Sequence, residues 1–132
     1  MAIQLGTTVR NNRLDSIETT IGTTAKLYLY SGTLPANCAA ADPSGTLATL
    51  TLPSDYLNAA ASGVKSLAGT WTGTASGSGT AIVFRIKDNA GTTCHMQGTV
   101  GTTGTDLVLD NNVLATSQTI NITTFALTDA NA

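Results

Sequence analysis

The sequence predicts a mainly β fold, an antiparallel β-sandwich or jelly roll of about seven or eight strands with a short N-terminal α-helix. The first observation is a change of hydrophobic period, which is helical before Lys26 and alternating after it. The second is the regular spacing of turn residues between the short alternating runs. We therefore expect a single domain, with an arm and helix over residues 1–24 and the sandwich over residues 25–132.

The composition is that of a globular chain with little charge. Of the 132 residues, 42% are apolar but only 11% are charged, against roughly 25% in typical soluble domains. The net charge of −2 argues against nucleic-acid binding, which usually needs a basic stripe. No run is as apolar as a signal peptide or as the ~20 residues of a membrane span. We expect a chain made in the cytoplasm, with no membrane partner.

The predicted helix extends over residues 7–21. This segment contains no proline or glycine, Thr7 or Thr8 can cap its start, and Gly22 suits its end. At 100° per residue the apolar side chains fall on one side: Val9, Leu14, Ile17 and Ile21. A polar set lies opposite: Asn11, Asp15 and Glu18.

Two arginines interrupt the apolar side of this helix. Arg10 and Arg13 fall within the apolar arc, while the acids of the helix lie across from it. Their alkyl stems could lie on apolar surface with the guanidinium groups in water. Alternatively, this face meets another subunit or a larger shell, and the partner supplies the counter-charge. The interface hypothesis names Val9, Arg10, Arg13, Leu14 and Ile17.

Six runs with a period of two are predicted to be strands: residues 26–30, 46–53, 80–88, 93–100, 106–110 and 118–128. In the run at 80–88, every second residue from Ile82 is expected inside, and Val83, Arg85 and Lys87 outside. In the last run the apolar parity changes at Thr123–Thr124, which indicates a β-bulge. The predicted core consists of Leu27, Leu29, Leu50, Leu52, Ile82, Phe84, Ile86, Met96, Leu107, Leu109, Ile120 and Phe125.

Glycine is followed directly by threonine at 11 of its 13 positions, as in GTVGTTGTD at 98–106. Glycine tolerates the positive φ of many turns, and β-branched threonine favours strands. Each Gly-Thr step is therefore interpreted as a turn followed by the start of a strand. Over residues 72–80, TGTASGSGT, the same chemistry predicts a flexible loop.

Residues that could carry catalysis are scarce. The chain has one histidine, His95, and strand neighbours point to opposite faces, so Cys94 and His95 cannot act as nucleophile and base. Cys94 is interpreted as a small core residue on the same face as Met96. No metal-ligand or phosphate-loop spacing occurs. We predict no catalytic residue, no cofactor, no metal ligand and no enzymatic activity.

Two features leave alternatives open. Cys38 and Cys94 are expected to be free thiols in a cytoplasmic chain, with a late disulfide between them as the alternative. Four aromatic residues could form a sugar-stacking platform for a glycan, but we favour aromatic rings at the edge of a core or in an interface. These residues are Tyr28, Tyr30, Tyr56 and Trp71.

Residues 7–56, TTVRNNRLDSIETTIGTTAKLYLYSGTLPANCAAADPSGTLATLTLPSDY, resemble the start of small virion proteins encoded by many tailed bacteriophages. In that family a helix similar to VRNARLDAIE leads into a strand ending in SG or TG, then a PA-x-C loop and an LATL-x-LPSD run. The later FRIKDNAGTTCHMQGTV, DLVLDNN and ITTFALT are similar too, so the likeness spans nearly the whole chain. Gln118 is preceded by Ser117 where the family pattern has glycine.

The resemblance implies a head decoration or cement protein, made in the bacterial host and located on the outer capsid surface, where it bridges capsomers. It implies two partners, the major capsid protein and further copies of this chain, as a dimer or trimer. Low charge suits that role, because each charge buried at an interface costs several kcal/mol of desolvation. Two other roles stay open: a tail or head-fibre component of the virion, and a carbohydrate-binding module.

Overall fold

The computed structural model describes residues 3–130, and these form a mainly β fold with one N-terminal helix. Residues 1–2 and 131–132, the outer ends of the two predicted segments, lie outside the described residues. The elements are α1 (Thr7–Ile21), β1 (Lys26–Tyr30), β2 (Thr46–Thr51), β3 (Val64–Ser66), β4 (Thr72–Thr74), β5 (Gly79–Thr80), β6 (Val83–Lys87), β7 (Cys94–Gly101), β8 (Leu107–Leu109), β9 (Val113–Leu114) and β10 (Thr119–Thr128).

The predicted helix and all six predicted strand runs are confirmed. The pattern missed β3, β4, β5 and β9, which have two or three residues each and, unlike the equally short β8 with Leu107 and Leu109, lack two apolar residues at alternate positions. Two of these lie in the segment 72–80, so its assignment as a loop is wrong in part. The helix is preceded by Gly6 as N-cap with no side-chain hydrogen bond, so the expected cap by Thr7 or Thr8 is also wrong.

One sheet contains eight strands in the order β2-β1-β6-β7-β8-β10-β3, and β4 pairs with another part of β10. Its neighbouring strands are antiparallel except β7 and β8, which run parallel, so the sheet is mixed and the expectation of a purely antiparallel one is wrong. Strands β5 and β9 form a separate two-stranded sheet. The predicted bulge in β10 is confirmed, because the register with β8 shifts between Ile122 and Thr124. A two-layered sandwich or jelly roll stays a prediction.

The large sheet curls until its first strand meets the segment after β4. The Ser76 and Gly77 amides both donate to the Leu47 carbonyl in β2, at 2.8 and 3.1 Å. A Cβ placed on Gly73 would lie only 2.7 Å from the Leu50 Cγ, so a glycine permits this close approach. The curl encloses a core in which Trp71, Phe84 and Phe125 contact one another edge to face or tilted.

The parallel pairing of β7 and β8 depends on a tight connection through the Gly-Thr segment. Asp106 Oδ2 accepts hydrogen bonds from the amide and the hydroxyl of Thr99, both at 2.9 Å. A Cβ on Gly98 would lie 2.7 Å from that carboxylate oxygen and from the Phe84 ring. Here glycine is needed for space within a strand rather than for a turn, which differs from the interpretation of every Gly-Thr step as a turn.

The predicted core is confirmed except at Ile82 and Met96. Ile82 lies just before β6 and is 40% exposed, and Met96 is only partly buried at the edge of the core. The expected polar outer face of β6 is wrong as well, because Val83, Arg85 and Lys87 are all buried. Arg85 and Lys87 are contacted by residues 33–43, the middle of the connection between β1 and β2, which we call the strap.

Candidate interaction surface

The helix docks on the body of the protein through buried Leu14 and Ile21 and through polar side chains beside them. Glu18 Oε1 accepts hydrogen bonds from the Tyr56 and Leu57 amides at 3.2 and 3.3 Å. Asp15 Oδ1 accepts from the Ala60 amide and Asn11 Oδ1 from the Gly63 amide, both at 2.9 Å. These side-chain oxygens therefore satisfy backbone N–H groups of residues 56–63, the segment before β3.

Lys65 of β3 is the centre of this docking contact. Its buried ammonium group lies 2.8 Å from Asp15 Oδ1 and 3.1 Å from Glu18 Oε2. Burial by itself would lower the pKa of Lys65, but the hydrogen bonds to Asp15 and Glu18 outweigh it and raise the pKa. The same hydrogen bond is the main cause that lowers the pKa of the Asp15 carboxyl. The helix acids are thus fixed to the chain's own sheet.

Arg10 and Arg13 find their partners within the chain. Arg13 Nη1 lies 3.2 Å from Asp129 Oδ2, and Arg10 Nη1 donates to the Asp129 carbonyl at 3.1 Å. The expectation that another subunit must supply the counter-charge is therefore wrong. It failed because Asp129 lies at the far end of the sequence, and only the docking of the helix beside the end of β10 brings it near.

The remaining interface residues divide into buried and accessible ones. Leu14 is buried, whereas Val9 is 49% exposed and Ile17 is half-buried. Two shallow cavities, of about 310 and 200 Å³, flank Ile17 along the helix; one reaches Asp129 and the other His95. In the arm before the helix, Ile3 is 82% exposed. This accessible helix surface, consisting of Ile3, Val9, Arg13 and Ile17, is the part of the interface hypothesis that stays available to a partner.

The strap is anchored by a polar cluster on the outer face of the sheet. Arg85 is only 2% exposed and donates to the Asn37 and Ala40 carbonyls, at 3.2 and 3.0 Å, and to Asp42 at 2.9 Å. Lys87 is paired with Asp42 too and lies over the Tyr28 ring. Burial alone would raise the pKa of Asp42, but its hydrogen bonds to Lys87 and Arg85 lower it. The cluster contains Arg85 and Lys87, the two charged side chains that the sequence predicts on the outside of the sheet.

The cysteines are joined in a disulfide between the strap and β7. Cys38 and Cys94 have Cα atoms 5.3 Å apart, and they are bonded, so the expectation of free thiols is wrong and the alternative applies. Cys94 does not share a face with Met96, because a bulge makes Cys94 oppose Lys87 while Met96 opposes Ile86. The extra residue turns Cys94 towards the strap.

The aromatic residues do not form a surface platform. Trp71, Tyr30 and Tyr56 are buried, and the Trp71 indole N–H donates to the Tyr56 carbonyl at 3.0 Å. Burial raises the pKa of the Tyr56 hydroxyl to about 12, with the Glu18 charge as a second cause. Only Tyr28 of the four keeps partial exposure, so the arrangement offers no stacking surface for a sugar.

His95 is half-buried and lines the smaller of the two cavities beside the helix, with Ser16, Thr20 and Ile21. Among residues 3–130, no three histidine, cysteine or acidic side chains are grouped closely enough to hold a metal ion. In the same range no helix is long and apolar enough to cross a membrane. Neither finding identifies a chemistry for the site.

The chain was compared with known proteins at the level of sequence families, curated sequences and solved structures. No family model matches it, and neither a curated protein nor a solved structure shows significant similarity.

Proposed function

We propose that this chain is a structural protein of a tailed-phage virion, a head decoration or cement protein that binds the outer capsid surface. The observation that carries the proposal is where the charges lie. Arg10, Arg13, Lys65, Arg85 and Lys87, five of the six Lys and Arg residues, have partners within the chain. Because charged residues are only 11% of the chain and most of its cations are paired internally, burying the accessible surface in a lattice would desolvate few unpaired cations.

The resemblance of residues 7–56 to tailed-phage virion proteins supports the same proposal, and so does the sandwich architecture that the sequence predicts. On this proposal the accessible helix surface faces the capsid or a neighbouring copy. Its apolar side chains supply contact area, and the Arg13 side chain is 54% exposed while still paired with Asp129.

Copy number in purified particles tests the function itself. Quantitative mass spectrometry against the major capsid protein should give hundreds of copies per virion, because a decoration protein occupies every equivalent capsomer position. A handful of copies would assign the chain to the tail or the portal region instead. Absence from purified particles would overturn the virion role altogether.

A pair of valine variants tests the surface separately. Val9→Asp places a charge on the accessible helix surface and should weaken binding to decoration-free capsids by at least about tenfold. Val113→Asp is the matched control, since Val113 is 60% exposed on β9, outside the helix. If Val113→Asp weakens binding and Val9→Asp does not, a surface around β9 meets the capsid. Melting temperatures of both variants should stay close to that of the original chain.

A further inference from the structure

The strap is bound to the sheet almost entirely by polar contacts and one covalent bond. Its backbone carbonyls and Asp42 accept from Arg85, and the Pro35 carbonyl accepts from Gln97 Nε2 at 2.8 Å. Its apolar side chains contribute little burial, since Leu34 is 46% exposed and Ala39 and Ala41 are exposed. Each hydrogen bond between the strap and the sheet replaces hydrogen bonds to water, so its net contribution to stability is modest. The disulfide therefore supplies a large part of the free energy that keeps the strap bound to the sheet.

The sheet beneath the strap has an independent source of stability. Leu27, Leu29, Phe84 and Ile86 are buried on its other face, in the core enclosed by the curl. Strands β1 and β2 are joined directly below the strap by the Ser31 amide, which donates to the Gly45 carbonyl at 2.9 Å. Opening the strap would therefore leave the strand pairing and the inner core in place.

The disulfide lies where a thiol can reach it. Cys38 and Cys94 are both half-buried, but they line an open cavity of about 260 Å³. Arg85 and Lys87 line the same cavity, and only one carboxylate, Asp42, does so with them. A nearby cation stabilises a cysteine thiolate, which makes it a better leaving group in thiol–disulfide exchange.

We propose that the Cys38–Cys94 disulfide is a reversible redox latch, whose reduction lets the strap open while the sheet stays folded. A small dithiol supplies the two electrons: its thiolate attacks one sulfur, the other cysteine leaves as a thiolate, and the second thiol of the reductant closes a cyclic disulfide. The chain gains two electrons and two protons and ends with two cysteine thiols. An oxidised dithiol, present as its disulfide, reverses the exchange: it accepts the two electrons, is reduced to the dithiol, and the re-formed Cys38–Cys94 bond closes the strap over Arg85 and Lys87.

Chemical labelling of arginine measures the opening. The oxidised chain and the Cys38→Ser/Cys94→Ser variant are treated with phenylglyoxal, and modified arginines are quantified by mass spectrometry. Arg85 should react at least about tenfold faster in the variant, because only an open strap exposes its guanidinium group. Arg13 is the internal control, and its labelling rate should be the same in both proteins. Circular dichroism and a cooperative melting curve should show that the sheet is still folded.

Two results would overturn the latch. Unchanged Arg85 labelling would mean that the polar cluster holds the strap without the disulfide. Faster labelling at Arg85 together with loss of cooperative melting would mean that the disulfide maintains the whole fold.

The rate at which the intact Cys38–Cys94 disulfide is reduced tests whether the Lys87 cation assists the exchange. With dithiothreitol at fixed pH, the Cys38–Cys94 disulfide of the Lys87→Gln variant should be reduced several-fold more slowly than that of the original chain. The reason is that the variant lacks a cation beside the leaving thiolate. Lys26→Gln is the matched control, since Lys26 is the cross-strand neighbour of Lys87 in β1 and does not line the cavity. Equal rates for the two variants would exclude the cationic assistance.

Discussion

The two faces of strand β6 are both buried, but for different physical reasons. On the inner face, Phe84 and Ile86 pack into the apolar core. On the outer face, Arg85 and Lys87 lie under the strap, held by charge-assisted hydrogen bonds and a disulfide. Burial of the first kind follows from side-chain chemistry alone, whereas burial of the second kind needs specific partners at fixed distances.

The docking of the helix belongs to the second kind. The carboxylates of Asp15 and Glu18 pair with Lys65, and the Asn11 side-chain oxygen accepts from a backbone N–H. Apolar Val9, in contrast, stays half-exposed. The polar side chains beside buried Leu14 and Ile21 can therefore take part in docking, because the receiving surface supplies a cation and free N–H groups. The comparison shows that most cations of this charge-poor chain are used in internal contacts.

The largest effect should come from the inner face. Phe84→Ala removes a buried ring that contacts Phe125 with centroids 5.8 Å apart, and it should lower the free energy of unfolding by about 3–5 kcal/mol. Urea denaturation followed by fluorescence of buried Trp71 measures this. Ile82→Ala, two residues earlier and on the same parity, is the control and should cost about 1 kcal/mol, because that side chain is 40% exposed. Equal losses for both would contradict the assigned burial.

An intermediate effect should come from the outer face. Arg85→Met keeps the apolar stem but leaves Asp42 and the strap carbonyls without their donor, and it should cost about 2–3 kcal/mol. The loss is smaller than for the inner face because Asp42 is half-exposed and can be rehydrated. Lys26→Met, which removes a half-exposed cation of β1, should change the stability little in the same denaturation experiment. If Arg85→Met lowers the free energy of unfolding by less than about 0.5 kcal/mol, the hydrogen bonds of Arg85 do not stabilise the outer face and the prediction is wrong.

The smallest effect should be the pH dependence of the polar contacts. The pKa values of Asp15 and Asp42 are lowered in the fold, so the stability they contribute is present above the ordinary value of 3.8 and is lost as the pH falls through the lower folded values. The melting temperature should therefore be level near neutral pH and fall below about pH 4. In Asp15→Asn this acid-induced fall should be smaller than in the original chain.

Asp55→Asn serves as the control for the pH experiment. Asp55 is exposed, and no hydrogen bond or ion pair involving its side chain is found within residues 3–130. Its replacement should leave the acid-induced fall unchanged. If Asp15→Asn behaves in the same way as this control, the ion pair with Lys65 does not contribute to helix docking.

The sequence by itself determined the elements whose cause is local. The helix over residues 7–21 follows from an uninterrupted helical period that ends at Gly22, and six of the strands follow from alternation of apolar residues. Most of the inner core was predictable for the same reason, since period two assigns side chains to a face without knowledge of the partner strand. The bulge at Thr123–Thr124 was visible because it changes that parity.

Only the tertiary structure decided which polar groups meet. Asp129 reaches Arg13 across 116 positions of sequence, and Asp42 reaches Arg85 across 43, so no local pattern connects them. The bulge in β7 turned Cys94 towards Cys38, and no change of apolar parity marked it in the sequence. Hydrophobic burial is non-directional and can be predicted from composition along a strand, whereas ion pairs, caps and disulfides depend on distances that exist only after the chain has folded.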